Sequence, residues 1–326
     1  MKGNVSITIQ NNRTKYEFII RRNLTIIRGN SATGKTTLID MIRDYNMLGE
    51  ESGIELSCDR PCIVIEGNRW KEQLFGIEKS IVFIDEGNRF TTSTDFAETI
   101  KKTDNYYVIV TREGLPNLPY SVEEIYGIRS KGKYGGLRQI YHEIFRIYNS
   151  SNISYDIIPD KIIIEDSNSG FQFFKEVCAK SNIQCVSSNG KSNICKTILQ
   201  NRDISLFIIA DGAAFGSEME KVMELVRTLK SVILYLPESF EWLILKANIL
   251  NDKQIVSMSK DWGQYIDSKD FFSWEQFFTY LLIEKTAGTY FQYSKKNLNS
   301  AYLNDSVKAK LLNELKQINF GIDKEK

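Results

Sequence analysis

Residues 29–36 read Gly-Asn-Ser-Ala-Thr-Gly-Lys-Thr and fit the pattern G-x-x-x-x-G-K-[ST] at every position. Gly29 and Gly34 admit backbone conformations that a side chain would block. The amides of a turn with this composition converge on phosphate oxygens. Asn30, Ser31, Ala32, Thr33 and Thr37 complete the expected binding set. Lys35 is expected to reach the β- and γ-phosphates, and the Thr36 hydroxyl to help hold Mg²⁺. Residues 23–28, Asn-Leu-Thr-Ile-Ile-Arg, are β-branched and apolar and predict the strand feeding the turn. Residues 37–42 predict a helix whose N-terminal dipole favours a bound anion. The alternative is a glycine-rich turn with no ligand.

Two further strands carry polar residues at their carboxyl ends. Residues 80–86, Ser-Ile-Val-Phe-Ile-Asp-Glu, are an apolar run closed by two acids, as expected of a buried parallel strand. Ligands of open α/β sheets bind at that end, so Asp85 is expected to support the metal directly or through water. The plainer alternative is a buried strand followed by an acidic helix cap. Residues 106–110, Tyr-Tyr-Val-Ile-Val, predict a third strand leading to Thr111-Arg112-Glu113. Thr111 is a candidate for sensing a γ-phosphate, and Arg112 for acting across an interface. An ordinary strand end with a solvated arginine is the alternative.

With these motifs, residues 1–128 resemble the ATPase modules of the AAA/ABC-like P-loop superfamily. The apolar stretches 5–9 and 16–20 around Asn11-Asn12-Arg13 predict a leading hairpin, which is common in ABC-like ATPases. The resemblance implies ATP and Mg²⁺ as cofactors and gives Glu86 the role of polarising the attacking water. It also implies a homodimer or a partner protein. No LSGGQ-type signature is found; the nearest stretch, Lys133-Tyr134-Gly135-Gly136-Leu137, has a different character. No long arm is inserted between Thr36 and Asp85, and no guanine-reading Asn-Lys-x-Asp occurs in the expected region.

A length of 326 residues predicts two domains, and 42% hydrophobic residues are enough for sizeable cores. Charge is balanced, with 42 basic and 41 acidic residues. There is thus no global signal for nucleic acid or a membrane surface, although a local basic patch remains open. Five scattered cysteines and a single histidine, His142, argue against a structural zinc site and predict reduced thiols in a cytoplasmic protein. No signal peptide is visible, and the apolar runs are too short to span a bilayer.

The polar, glycine-rich stretch from 129 to 157 predicts a linker, with a strand pair or short helix left open over 137–147. A second α/β rhythm follows over 158–250: strands near 161–166, 183–186, 205–211 and 231–236 alternate with helices near 171–180, 194–200 and 219–230. Glu165 and Asp211 close two of these strands. This arrangement resembles a Toprim domain and implies a second Mg²⁺ site on those acids, although Ala213 stands where the second Asp of the D-x-D outline belongs. Residues 251–326 predict a helical, aromatic C-terminal region.

The expected fold class is α/β: a P-loop NTPase three-layer sheet, then a smaller Toprim-like domain with a helical end. The combination resembles overcoming-lysogenisation-defect nucleases and phage-defence ATPases. Three functions follow as alternatives: an ATP-hydrolysing switch or sensor, an ATP-regulated metal-dependent nuclease, and a small-molecule or nucleotide kinase.

Overall fold

The computed structural model describes residues 1–29, 33–131, 139–148, 158–181, 183–229 and 231–315. The chain divides into two compact units, Met1–Asn149 with Asp261–Ser273, and Ser150–Lys260 with Trp274–Lys326. Among the described residues no helix is long and apolar enough to cross a membrane.

The first unit comprises β1 (Val5–Gln10), β2 (Thr14–Ile20), β3 (Leu24–Arg28), α1 (Lys35–Leu48), β4 (Glu55–Cys58), β5 (Cys62–Val64), α2 (Trp70–Leu74), β6 (Ile81–Ile84), α3 (Thr94–Ile100), β7 (Tyr106–Val110), β8 (Ile125–Lys131) and β9 (Ile140–Arg146). The nine strands form one sheet in the order β4-β1-β2-β9-β8-β3-β7-β6-β5. The expected leading hairpin is present: β1 and β2 are antiparallel, with Val5 opposite Ile20 and Gln10 opposite Lys15. Strands β3, β7, β6 and β5 are parallel neighbours, and β3, β7 and β6 are buried along their whole length. The two edge strands, β4 and β5, are consecutive in the chain and joined only by Asp59-Arg60-Pro61. So short a connection draws the two edges to a common corner. Helix α1 packs against β1, β4 and β5, and buries Leu38, Ile39, Met41 and Ile42 in the core that the strands share.

Two expected boundaries change. The 129–157 linker yields part of β8 and all of β9 to the first sheet, where β9 runs antiparallel to β8 and parallel to β2. Its local polarity misleads because Arg129 and Lys131 pair with Glu143 across the two strands, at 2.6 and 3.1 Å. The 251–326 region is also divided. Residues 261–273 belong to the first unit, where Gly3 donates its N–H to Gly263 O (2.9 Å) and Asn23 donates its amide to Phe272 O (2.8 Å).

The second unit comprises β10 (Lys161–Ile164), α4 (Ser169–Cys178), β11 (Gln184–Ser187), α5 (Ile194–Gln200), β12 (Leu206–Ile209), α6 (Met219–Thr228), β13 (Val232–Tyr235), α7 (Phe240–Lys246), α8 (Lys253–Met258), α9 (Trp274–Thr286) and α10 (Asp305–Glu314). Its four strands form a parallel sheet in the order β11-β10-β12-β13, as the strand–helix alternation predicts. Helices α9 and α10 pack on α7, so the C-terminal helices share this unit's core.

Gly127 on β8 faces Phe145 on β9, and a Cβ there would lie 2.8 Å from the Phe145 ring. The Arg129 guanidinium covers that ring at 4.7 Å. Gly127→Val should therefore overpack the pair and lower stability by about 1–3 kcal/mol in urea unfolding.

Candidate functional site

The turn between β3 and α1 is built by its glycines. Gly29 has φ 144° and Gly34 has φ 96°, a region that side chains disfavour. Gly34 is the N-cap of α1, with no side-chain cap and no acid in the helix's first turn. The first-turn amides of such a helix have no partner within the helix, which suits an anion. Lys35 Nζ donates to Gly29 O at 2.8 Å and reaches Thr33 Oγ1 at 3.4 Å, so the ammonium spans the turn. The Thr36 and Thr37 side chains lie on the exposed side of the helix start. Asn30, Ser31 and Ala32 lie outside the described residues.

Parallel pairing brings the other motif residues to the same edge. β7 lies between β3 and β6, so Thr111 and Arg112 follow a strand flanked by the strand of the turn and the strand of Asp85. Burial lowers the Lys35 pKa, and Arg112 adds to that, while Glu86 and Asp85 raise it. The four charged groups thus act on one another. The Asp85 carboxyl is held above its ordinary value by burial and by the nearby Glu86 and Asp40 carboxylates, against the Glu86 N–H that it accepts at 2.8 Å. Glu86 takes a two-pronged contact from Arg112, Nη2 at 2.7 Å and Nε at 3.1 Å. The Thr111 hydroxyl closes a local turn, accepting from Glu113 N (3.0 Å) and donating to Glu113 O (3.2 Å). Behind the turn, buried Arg28 donates to Tyr120 Oη at 3.0 Å.

Asp85 and Thr36 offer oxygen donors of the kind a hard cation takes, while among the described residues no three of His, Cys, Asp and Glu are grouped so as to hold a metal.

Two residues at this turn carry no motif signal. Tyr16 on β2 donates its hydroxyl to Gly34 O at 2.7 Å. His142 on β9 stacks on the Tyr16 ring, with centroids 4.6 Å apart and planes within 10°. A Cβ on Gly34 would meet Tyr16 Oη at 2.8 Å and the His142 ring at 2.9 Å. Burial lowers the His142 pKa against the backbone of Thr33, which hydrogen-bonds the ring, and Ser130 Oγ lies 3.3 Å from Nδ1. Tyr16 and His142 are remote in sequence, so only the pairing of β2 with β9 brings them together.

In the second unit, Glu165 and Asp211 follow β10 and β12 and are adjacent: Asp211 N donates to Glu165 Oε2 at 2.9 Å. Burial raises both carboxyls. Glu165 is pushed up to about 7, and Asp211 is held well above its ordinary value by burial and then by the charges of Glu275, Glu165, Glu241 and Asp166. Lys295 lies beside this cluster, pairs with Glu275 and is itself raised by Glu275, Glu241 and Asp211, and Lys191 acts on Glu165 as a second cation. Buried Tyr293 links Ser169 Oγ (2.6 Å) to Glu241 Oε1 (2.8 Å). Among the described residues no three of His, Cys, Asp and Glu are grouped so as to hold a metal. With one Glu165 oxygen engaged by an amide and an ammonium beside the acids, this set does not fit a divalent cation.

No family model matches this chain, and no curated protein matches it.

Gly34→Ala should lower stability by about 1–3 kcal/mol in denaturant unfolding, since the methyl group meets both rings at a positive φ. His142 also sets a pH dependence. Its folded pKa lies below the ordinary 6.5, so the unfolded chain takes up the proton first. The stability contributed by the neutral ring is complete above that value and is lost as pH falls through it. Thermal midpoints should drop between about pH 7 and pH 5, and His142→Asn should flatten that slope.

Proposed function

We propose that the first unit binds ATP·Mg²⁺ on the 29–37 turn and hydrolyses it, and that the protein acts as a nucleotide-driven switch or sensor. The observation that carries this reading is the glycine turn spanned by the Lys35 ammonium, at the end of a strand followed in the sheet by the parallel strands β7 and β6, which lead to Arg112 and to Asp85 and Glu86. That is the charge pattern a phosphoryl group in transfer needs: a cation to hold it, an acid for its metal and a base for water.

The roles follow from the geometry. The first-turn amides of α1 and the Lys35 ammonium bind phosphate oxygens, and Lys35 exchanges its contact with Gly29 O for the ligand. Thr36 and Asp85 would hold Mg²⁺, which supplies charge neutralisation on the β- and γ-oxygens. Glu86 accepts the proton of the attacking water, and Arg112 fixes the direction of its carboxylate. Tyr16 and His142 hold the Gly34 end of the turn rigid. The second unit, which we read as Toprim-like, is then the part that responds to the nucleotide cycle. A phage-defence or DNA-directed setting follows from the family resemblance alone. Fold does not fix function, so the setting rests on analogy.

The reading is tested by phosphate release and by equilibrium binding of ATP with Mg²⁺. Lys35→Ala should abolish binding. Glu86→Gln should leave binding intact and slow turnover by about 10²–10⁴-fold. A wild-type protein that neither binds nor hydrolyses ATP, or a Glu86→Gln variant as active as wild type, would overturn the assignment.

A further inference from the structure

The corner where the edges of the nine-stranded sheet meet holds two thiols. Cys58 is the last residue of β4 and Cys62 the first of β5. Both engage the same intervening residue: Arg60 N donates to Cys58 Sγ at 3.5 Å, and Cys62 Sγ donates to Arg60 O at 3.8 Å. Each thiol also acts on the other, Cys62 lowering the Cys58 pKa and Cys58 raising that of Cys62. Cys62 is buried, whereas Cys58 is partly open to solvent. We propose that Cys58 and Cys62 form a peroxide-responsive disulfide that staples the two edges of the sheet together.

The chemistry divides between the two sulfurs by position. Cys58 is the open sulfur and accepts the Arg60 N–H, and the neighbouring Cys62 thiol lowers its pKa, which together favour its thiolate. The Arg60 charge acts in the same direction, and burial and the Asp59 charge oppose it. The Cys58 thiolate attacks hydrogen peroxide, the O–O bond breaks, and Cys58 sulfenic acid and hydroxide form. Cys62 sulfur then attacks the sulfenic sulfur. Its proton goes to the departing hydroxyl, and one water leaves as the S–S bond forms. Peroxide is reduced and the dithiol oxidised, with no further reactant. Both sulfurs bond the backbone of the same residue, Arg60, in a connection of three residues, so closure needs only rotation of the two side chains there. The bond ties together two strands that both pack on α1, the helix that opens with Lys35.

Cys195 is a built-in comparison: it is partly buried, and burial raises its thiol above the ordinary value. The test exposes the full-length native protein to hydrogen peroxide, alkylates the remaining thiols, and cleaves before Asp59 so that only a disulfide joins the two cysteines. Mass spectrometry should find the Cys58–Cys62 linkage forming about ten-fold faster than any modification of Cys195, and dithiothreitol should reverse it. Cys62→Ser should accumulate Cys58 sulfenic acid, trapped by dimedone, and Cys58→Ser should leave Cys62 unmodified. Circular dichroism of both variants confirms that they are folded. Over-oxidation of Cys58 with Cys62 still free, a linkage to a different cysteine, or oxidation of Cys195 first would each overturn the proposal. The readout is a covalent bond, so it stands or falls separately from nucleotide binding.

Discussion

Burial of α1 is the constraint on which the first unit depends. The helix leaves the glycine turn with Leu38, Ile39, Met41 and Ile42 pointing into a core that also holds Ile7, Ile9, Phe83 and Val108. A helix buried by residues from both the hairpin strands and the parallel strands cannot move without opening that core, because interiors are close-packed. Its N-terminus is therefore fixed in space, and with it the direction in which Lys35 and the first-turn amides point. The glycines at 29 and 34 follow from this: the chain must leave a buried strand and enter a buried helix, and only positive φ values make that turn.

The same constraint explains the ring pair behind the turn. Gly34 has no Cβ, and the space this leaves is filled by Tyr16 and His142, one ring donating to the Gly34 carbonyl and the other stacked on the first. Burial raises the Tyr16 pKa and lowers that of His142, so both rings favour their neutral forms behind the turn. The second unit reaches rigidity by another route. There a run of acids is held by Lys295, by the Asp211 amide and by the Tyr293 hydroxyl, so the groups that could have faced a metal are tied into the protein's own network.

Much of the architecture was legible from local pattern. The strands entering 29, 85 and 111 are apolar, β-branched runs closed by polar residues, and they lie where that pattern predicts. The alternation in the second unit likewise predicts a parallel sheet. The linker was misread because β8 and β9 carry glycine, arginine and lysine, residues with low strand preference. Their stability comes from cross-strand pairs such as Arg129 with Glu143 and Gly127 with Phe145, which no single segment reveals. The short strands β4 and β5 were missed for a related reason. They are brief and half-exposed, and each is held by a neighbour distant in sequence.

Local sequence is enough to place the glycine turn, the helix that follows it, and the strands leading to Asp85 and Thr111, because turn geometry and hydrophobic periodicity act over a few residues. Tertiary structure alone decided that Tyr16 and His142 brace Gly34, that Arg112 grips Glu86, and that Cys58 and Cys62 meet at a corner of the sheet. Each of these depends on which strands pair or which connection folds back, and such pairings are fixed by the burial of a whole core rather than by any local run of residues.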